Sequence, residues 1–167
     1  MITRQPLFLK YEVPMKKIIS ILAIMLLFLL PQFAMAAGTV TITDKKVTSD
    51  VTEVTFTWVA DASAHTVPDT TTTNEYNGYI IMAVINPDDS VAPTASYDVD
   101  IDNADGADTF GAGLEDLSAT LGEIRLPKPD GTNFRDCFVT GKLTFQLSGN
   151  LIDSAAGVVK VYIDRAR

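Results

Sequence analysis

Strict alternation between apolar and acidic residues is the feature that most constrains this chain. Residues 97–102 read Tyr-Asp-Val-Asp-Ile-Asp. The three apolar side chains would lie on one face of a β-strand and the three aspartates on the other, because successive side chains of a strand point to opposite faces. Residues 103–106, Asn-Ala-Asp-Gly, favour a tight turn, since Asn and Gly adopt left-handed conformations readily. Residues 97–110 therefore predict a β-hairpin with Asn103 and Gly106 as turn residues.

Other short stretches with the composition of β-strands recur along the chain and are separated by turn residues. The clearest lie at residues 39–43, 54–60, 79–85, 143–147 and 159–163. About seven short strands connected by turns are typical of an all-β fold. We predict an antiparallel β-sandwich, with a partly closed β-barrel as the alternative.

Three stretches carry more specific expectations. Residues 79–85 are apolar at both parities, so we expect a central strand that is covered on both faces. The alternation over residues 137–147 indicates one strand bent near Gly141. Residues 114–121 have leucines at helical spacing, which allows one or two helical turns.

Residues 1–36 have the three parts of a secretory signal peptide. Lys16 and Lys17 precede an apolar run at 18–30, and the small-residue pattern of Ala34 and Ala36 follows it. The run is shorter than the roughly 20 residues that a membrane-spanning helix needs. We expect cleavage after Ala36, with Ala37 as the alternative, export to the periplasm or the medium, and no stable membrane insertion afterwards.

Removal of this segment leaves residues 37–167 as a single predicted domain. Met15 stands directly before the basic residues and is the better initiator, with Met1 as the alternative. The first 36 residues hold four of the 13 Lys and Arg and one of the 21 acids, so the remainder carries nine and 20, a net charge of −11. Such a surface repels phosphate groups, so nucleic acid is not an expected partner.

The sequence offers few residues for catalysis. Cys137 is the only cysteine and His65 the only histidine, and no serine lies in a Gly-x-Ser-x-Gly motif. We expect no enzymatic activity, because acid–base and nucleophilic chemistry need such groups. Cys137 is interpreted as a small buried hydrophobe, with an intermolecular disulfide or a reactive thiol as the alternative.

The acidic residues around the predicted hairpin are a candidate calcium site. Carboxylate oxygens at this density can bind Ca²⁺ outside the cell. Asn103 stands where the Asp-x-Asx-x-Asx-Gly calcium loop needs glycine, which favours a solvated strand face instead. No other metal and no organic cofactor is expected. The candidate ligands are Asp98, Asp100, Asp102, Asp105 and Asp108.

A polar, threonine-rich stretch at residues 61–77 is predicted to be a long loop, and long loops on β scaffolds often carry binding sites. Trp58, the single tryptophan, is expected in the core. If the chain binds carbohydrate, exposed aromatic rings are needed, and Tyr76, Tyr79 and Tyr162 are the candidates.

The pattern at residues 97–108, 111–113, 141–148 and 157–163 resembles a group of small β-rich structural proteins of tailed bacteriophages. In that group a Tyr-Asp-Val/Ile strand, an acidic Asp-Gly turn and a Gly-x-Gly joint precede two closing strands. The resemblance covers about residues 95–164 and implies a virion or particle component. It supports an exported structural protein with protein partners or self-association. The alternative is a secreted binding module that uses loop 61–77 for carbohydrate or a surface ligand.

Overall fold

Nine β-strands in two antiparallel sheets form the fold of residues 37–167, which are the residues described by the computed structural model. The predicted antiparallel β-sandwich is confirmed, and no closed barrel is present in these residues. No helix within them is long and apolar enough to span a membrane. The strands are β1 (Thr39–Lys46), β2 (Val51–Val59), β3 (Thr70–Thr71), β4 (Tyr76–Pro87), β5 (Asp98–Asp102), β6 (Glu123–Arg125), β7 (Cys137–Gly141), β8 (Thr144–Ser148) and β9 (Ala156–Asp164).

The large sheet has the order β1-β2-β9-β4, and the far side of β4 pairs with both β7 and β6. This is possible because β4 is 12 residues long: its first half pairs with β7 and its second half with β6. The small sheet has the order β3-β8-β5. The strand count exceeds the predicted seven because β3 and β6, of two and three residues, are too short to show alternation.

Aromatic side chains from both sheets meet in the core. The rings of Phe56 on β2 and Phe145 on β8 stack with centroids 5.3 Å apart. Trp58 on β2 is fully buried and lies 6.0 Å from the ring of Tyr97, directly before β5. The core position predicted for Trp58 is confirmed. Each ring of this kind buries enough apolar surface to contribute about 2–3 kcal/mol, so these contacts hold the two sheets together.

A β-bulge explains why residues 79–85 are apolar at both parities. The register between β4 and β9 shifts between Ile80 and Met82, so the inward positions change parity along the strand. The outward residues Tyr79 and Val84 are half-buried, not covered. The prediction of a central strand is confirmed, but coverage of both faces is wrong.

The predicted bent strand at residues 137–147 is instead two strands in different sheets. β7 ends at Gly141, which has φ 90°, and β8 begins three residues later. This left-handed conformation suits glycine because it has no Cβ. Gly141 is therefore the corner at which the chain passes from the large sheet to the small one.

The strand at the centre of the predicted hairpin pairs differently from expectation. β5 pairs with β8, more than 40 residues later, and only a single bridge between Asp102 and Asp108 continues past the turn. The return arm is held instead by Thr109, whose backbone N–H and Oγ1 both donate to the Ile101 carbonyl. The helical turns predicted over residues 114–121 are wrong: residues 115–121 contain no helix, and one 3₁₀ turn lies before them at Ala112–Leu114.

Candidate functional site

The turn after β5 is organised by one side chain. Oδ1 of Asn103 accepts hydrogen bonds from the backbone N–H groups of Asp105 and Ala107, each at 3.0 Å. The N–H of Gly106 donates to the Asn103 carbonyl, and Gly106 has φ 76°. Asn and Gly therefore stand where a tight turn requires them.

The aspartates of β5 point outward from the small sheet, since Val99 and Ile101 between them are buried. Oδ1 of Asp98 accepts the backbone N–H of Asp116 at 2.8 Å. Oδ2 of Asp102 accepts a hydrogen bond from Nε2 of Gln146 at 2.9 Å. We call this surface the acidic face. It consists of Asp98, Asp100, Asp102, Glu115 and Asp116.

Burial first, and repulsion between carboxylates second, raise the pKa of two aspartates in this part of the molecule. Burial raises the pKa of Asp100, and the charges of Asp102, Asp98 and Glu115 raise it further. Burial also raises the pKa of Asp108 to about 6, although the N–H of Phe110 stabilises its charged form. These carboxylates would be stabilised by a proton or by a cation from outside.

Calcium is not favoured by the arrangement of the five candidate ligands. Among residues 37–167, no three His, Cys, Asp or Glu side chains are grouped so that they could hold one metal ion. Asp105 lies in the exposed turn, whereas Asp98 and Asp102 already accept hydrogen bonds from the protein. The acidic residues are therefore better described as a strand face and a turn.

Loop 61–77 is tied to the fold at several points. Thr72 is buried, its N–H donates to the Leu143 carbonyl, and its Oγ1 accepts the Leu143 N–H. Asp61 accepts the N–H groups of Ser63 and Ala64, and these bonds lower the pKa of its carboxyl. The loop contributes strand β3 to the small sheet, which the sequence did not predict.

A polar depression of about 480 Å³ lies where this loop meets the turn after β5. Thr71 and Glu75 line it from the loop, and Asp102, Asn103 and Gln146 line it from the small sheet. None of the three aromatic candidates for sugar binding lines this depression. Tyr76 is buried, Tyr79 packs 5.1 Å from Phe138, and Tyr162 donates its hydroxyl hydrogen to Glu53.

Strand β1 leaves a long open edge on the large sheet. All eight of its residues pair with β2, in continuous register and without a bulge. No strand of the described chain pairs with its other side. Residues 39–43 contain no proline and no charge, the usual devices that protect an edge from pairing with another chain.

Several large apolar side chains are exposed near β6 and β7. Sequence reasoning did not identify this group. Phe138 points outward because its neighbour Val139 is buried, and Phe134 follows in the preceding loop. The ammonium of Lys128 lies 4.8 Å from the centre of the Phe134 ring. A groove of about 490 Å³ runs between Phe134 and Tyr79. We call this surface the aromatic patch. It consists of Tyr79, Ile124, Leu126, Lys128, Phe134 and Phe138.

Cys137 is half-buried and packs against the core, as a small hydrophobe would. Burial, together with the charge of Asp108, raises the pKa of its thiol. A raised pKa disfavours the thiolate, which is the reactive form of cysteine.

The predicted cleavage residues Ala34 and Ala36 lie outside the described residues.

No protein-family model matches the chain, and no significant match is found among curated proteins or solved structures.

Proposed function

We propose that this chain is a non-enzymatic, exported structural protein that assembles with other protein chains, as a component of a phage-type virion or of a particle at the cell surface. The open edge of β1 is the observation that carries the proposal. A strand edge presents unpaired N–H and C=O groups, which pair with a strand from another chain. The five uncharged residues 39–43, in regular register, offer about 17 Å of such an edge.

The predicted export of the chain supports the same function. Cleavage after Ala36 would leave only Ala37 and Gly38 before β1, so little of the mature chain could cover this edge from its N-terminal side. The resemblance of residues 95–164 to phage structural proteins favours a particle component. The net charge of −11 for residues 37–167 favours protein partners over nucleic acid.

Proline substitution at the β1 edge tests the proposal. Neighbouring residues of an antiparallel strand direct their N–H groups alternately toward the partner strand and away from it. Of Thr41→Pro and Ile42→Pro, one therefore removes only a free N–H and keeps the pairing with β2. A thermal melt of residues 37–167 identifies that variant, which we call the edge-blocked variant. Thr41→Ala and Ile42→Ala are the matched controls, because both keep the N–H.

Light scattering after size-exclusion chromatography provides the measurement. We expect the wild type and the alanine controls to form species above the monomer mass as concentration rises. The edge-blocked variant should form these species only at higher concentration. Assembly at wild-type concentrations by a stably folded edge-blocked variant would contradict the role of β1.

A secreted binding module is the second candidate, favoured by the polar depression beside loop 61–77. Carboxylate and amide groups such as those of Glu75 and Gln146 are suited to sugar hydroxyls. Glycan-array binding followed by calorimetry would test this candidate. Saturable binding by a free monomer, lost in Glu75→Gln, would favour the module over the assembly protein.

A further inference from the structure

Charge is divided unevenly along the mature chain. Residues 47–124 hold 15 acids and no Lys or Arg, whereas residues 125–167 hold seven Lys and Arg and four acids. The first of these segments supplies the whole acidic face. The second supplies β7, β9 and most of the aromatic patch. Of these cations, Arg125, Lys128 and Arg135 line the grooves at the aromatic patch, whereas Lys142 lines the polar depression beside β5.

The cations border the aromatic patch. Arg125 pairs with Glu123, Arg135 lies 2.6 Å from Asp130, and Arg167 pairs with Asp136. Lys128 contacts the Phe134 ring and forms no ion pair with any described residue. Its ammonium is thus the one cation of this surface whose charge is not offset by a neighbouring carboxylate.

The patch is also unusually apolar for a surface. Ile124, Phe134 and Phe138 are exposed by 70%, 62% and 55%. Exposed apolar side chains grouped in this way mark interaction surfaces. The partner should combine negative charge with contact area for the rings.

We propose that the aromatic patch binds the acidic face of a second copy of this chain, with Lys128 against the β5 carboxylates. This deepens the proposed function, on which it rests, by naming a second contact between copies. The acidic face offers negative charge around Asp100 and Glu115, and carboxylates that repel one another gain most from an external ammonium. The two surfaces are complementary in charge.

The geometry favours head-to-tail contact. The acidic face lies on the outer side of the small sheet, whereas Tyr79 and Phe138 lie on the outer side of the large sheet. A contact between different surfaces of identical chains is heterologous and can repeat. Two-fold pairing of the patch with itself would leave the acidic face outside the interface.

Two variants in the edge-blocked background separate this contact from β1 pairing. Lys128→Glu with Phe134→Ser alters the patch, and Asp100→Asn with Glu115→Gln removes charge from the acidic face. Each should weaken self-association about tenfold or more, as expected when interface anchors are lost. Leu151→Ser, at an exposed residue outside both surfaces, should associate like the edge-blocked background.

Mixing the two variants gives the decisive result. The patch variant keeps an intact acidic face, and the face variant keeps an intact patch. Sedimentation velocity of the mixture should therefore show a 1:1 dimer and no larger species. Each variant alone should remain a monomer under the same conditions. Raising NaCl from about 0.05 to 0.5 M should weaken the dimer through screening. A mixture that stays monomeric, or a face variant that self-associates like the background, would overturn the proposal. Neither outcome bears on β1, whose edge is blocked throughout.

Discussion

Replacement of Asp108 by asparagine should stabilise the protein at neutral pH. The folded-state pKa of Asp108 is about 6, against a reference of 3.8, chiefly because the carboxyl is partly buried. A shift of about two units corresponds to at most about 3 kcal/mol. The group is only half-buried and is screened by solvent, so we expect Asp108→Asn to raise the free energy of unfolding by about 1 kcal/mol at pH 7. Asparagine keeps the Oδ1 that accepts the Phe110 N–H.

The pH dependence has a definite sign. A raised carboxyl pKa penalises the folded state above about pH 6, where the group is charged, and the penalty disappears as pH falls toward the unfolded value near 3.8. Urea unfolding at pH 7 and pH 4.5 should therefore show the advantage of Asp108→Asn shrinking at the lower pH. Asp105→Asn, which removes one charge from the exposed turn, should change stability by less than about 0.5 kcal/mol. Equal stability of the wild type and Asp108→Asn at pH 7 would refute this reasoning.

Three further outcomes are expected. Gly106→Val should lower the free energy of unfolding by about 1–3 kcal/mol, measured in a thermal melt, because valine is strained at positive φ; a Cβ at Gly106 meets no atom within 4 Å. Gly111→Val should lower it further, because its Cβ would also clash with the Lys128 carbonyl oxygen. An unchanged melt for Gly106→Val would show that its turn is not strained. Addition of millimolar Ca²⁺ should change the melting temperature by less than about 1 °C. A true site, at a Ca²⁺ concentration 100 times its Kd, would instead raise the free energy of unfolding by about 2.7 kcal/mol. Intact-mass measurement of the exported protein should give a chain beginning at Ala37, or at Gly38 if cleavage follows Ala37. Retention of Lys16 and Lys17 would contradict cleavage.

Local patterns predicted local structure. The alternation at residues 97–102 located β5 and its inward side chains, because the pleat forces period two on any strand with one buried face. The pairing of β5 with β8 leaves no local signal, since the two strands are more than 40 residues apart. The sequence did not show that one face of β4 is only half-buried, because a bulge produces the same apolar run as burial of both faces.

The two candidate surfaces also differ in how much of them the sequence could predict. The β5 members of the acidic face, Asp98, Asp100 and Asp102, could be predicted from one strand, whereas Glu115 and Asp116 join it from a later segment. The aromatic patch could not, because it joins Tyr79 of β4 with Phe134 and Phe138 from more than 50 residues later. Its exposure depends on β7 being an outer strand of the large sheet, with its aromatic side chain directed away from the core. Sequence parity alone does not reveal which face of a strand is covered.

Density-gradient fractionation of native material tests the assembly function most directly. Culture medium and envelope fractions from the organism that encodes the chain would be separated, and the protein located by mass spectrometry. We predict that the processed chain sediments with particles or surface layers, in a fixed ratio to their other components. Recovery of the processed chain only as a free monomer in the soluble fractions would contradict the account.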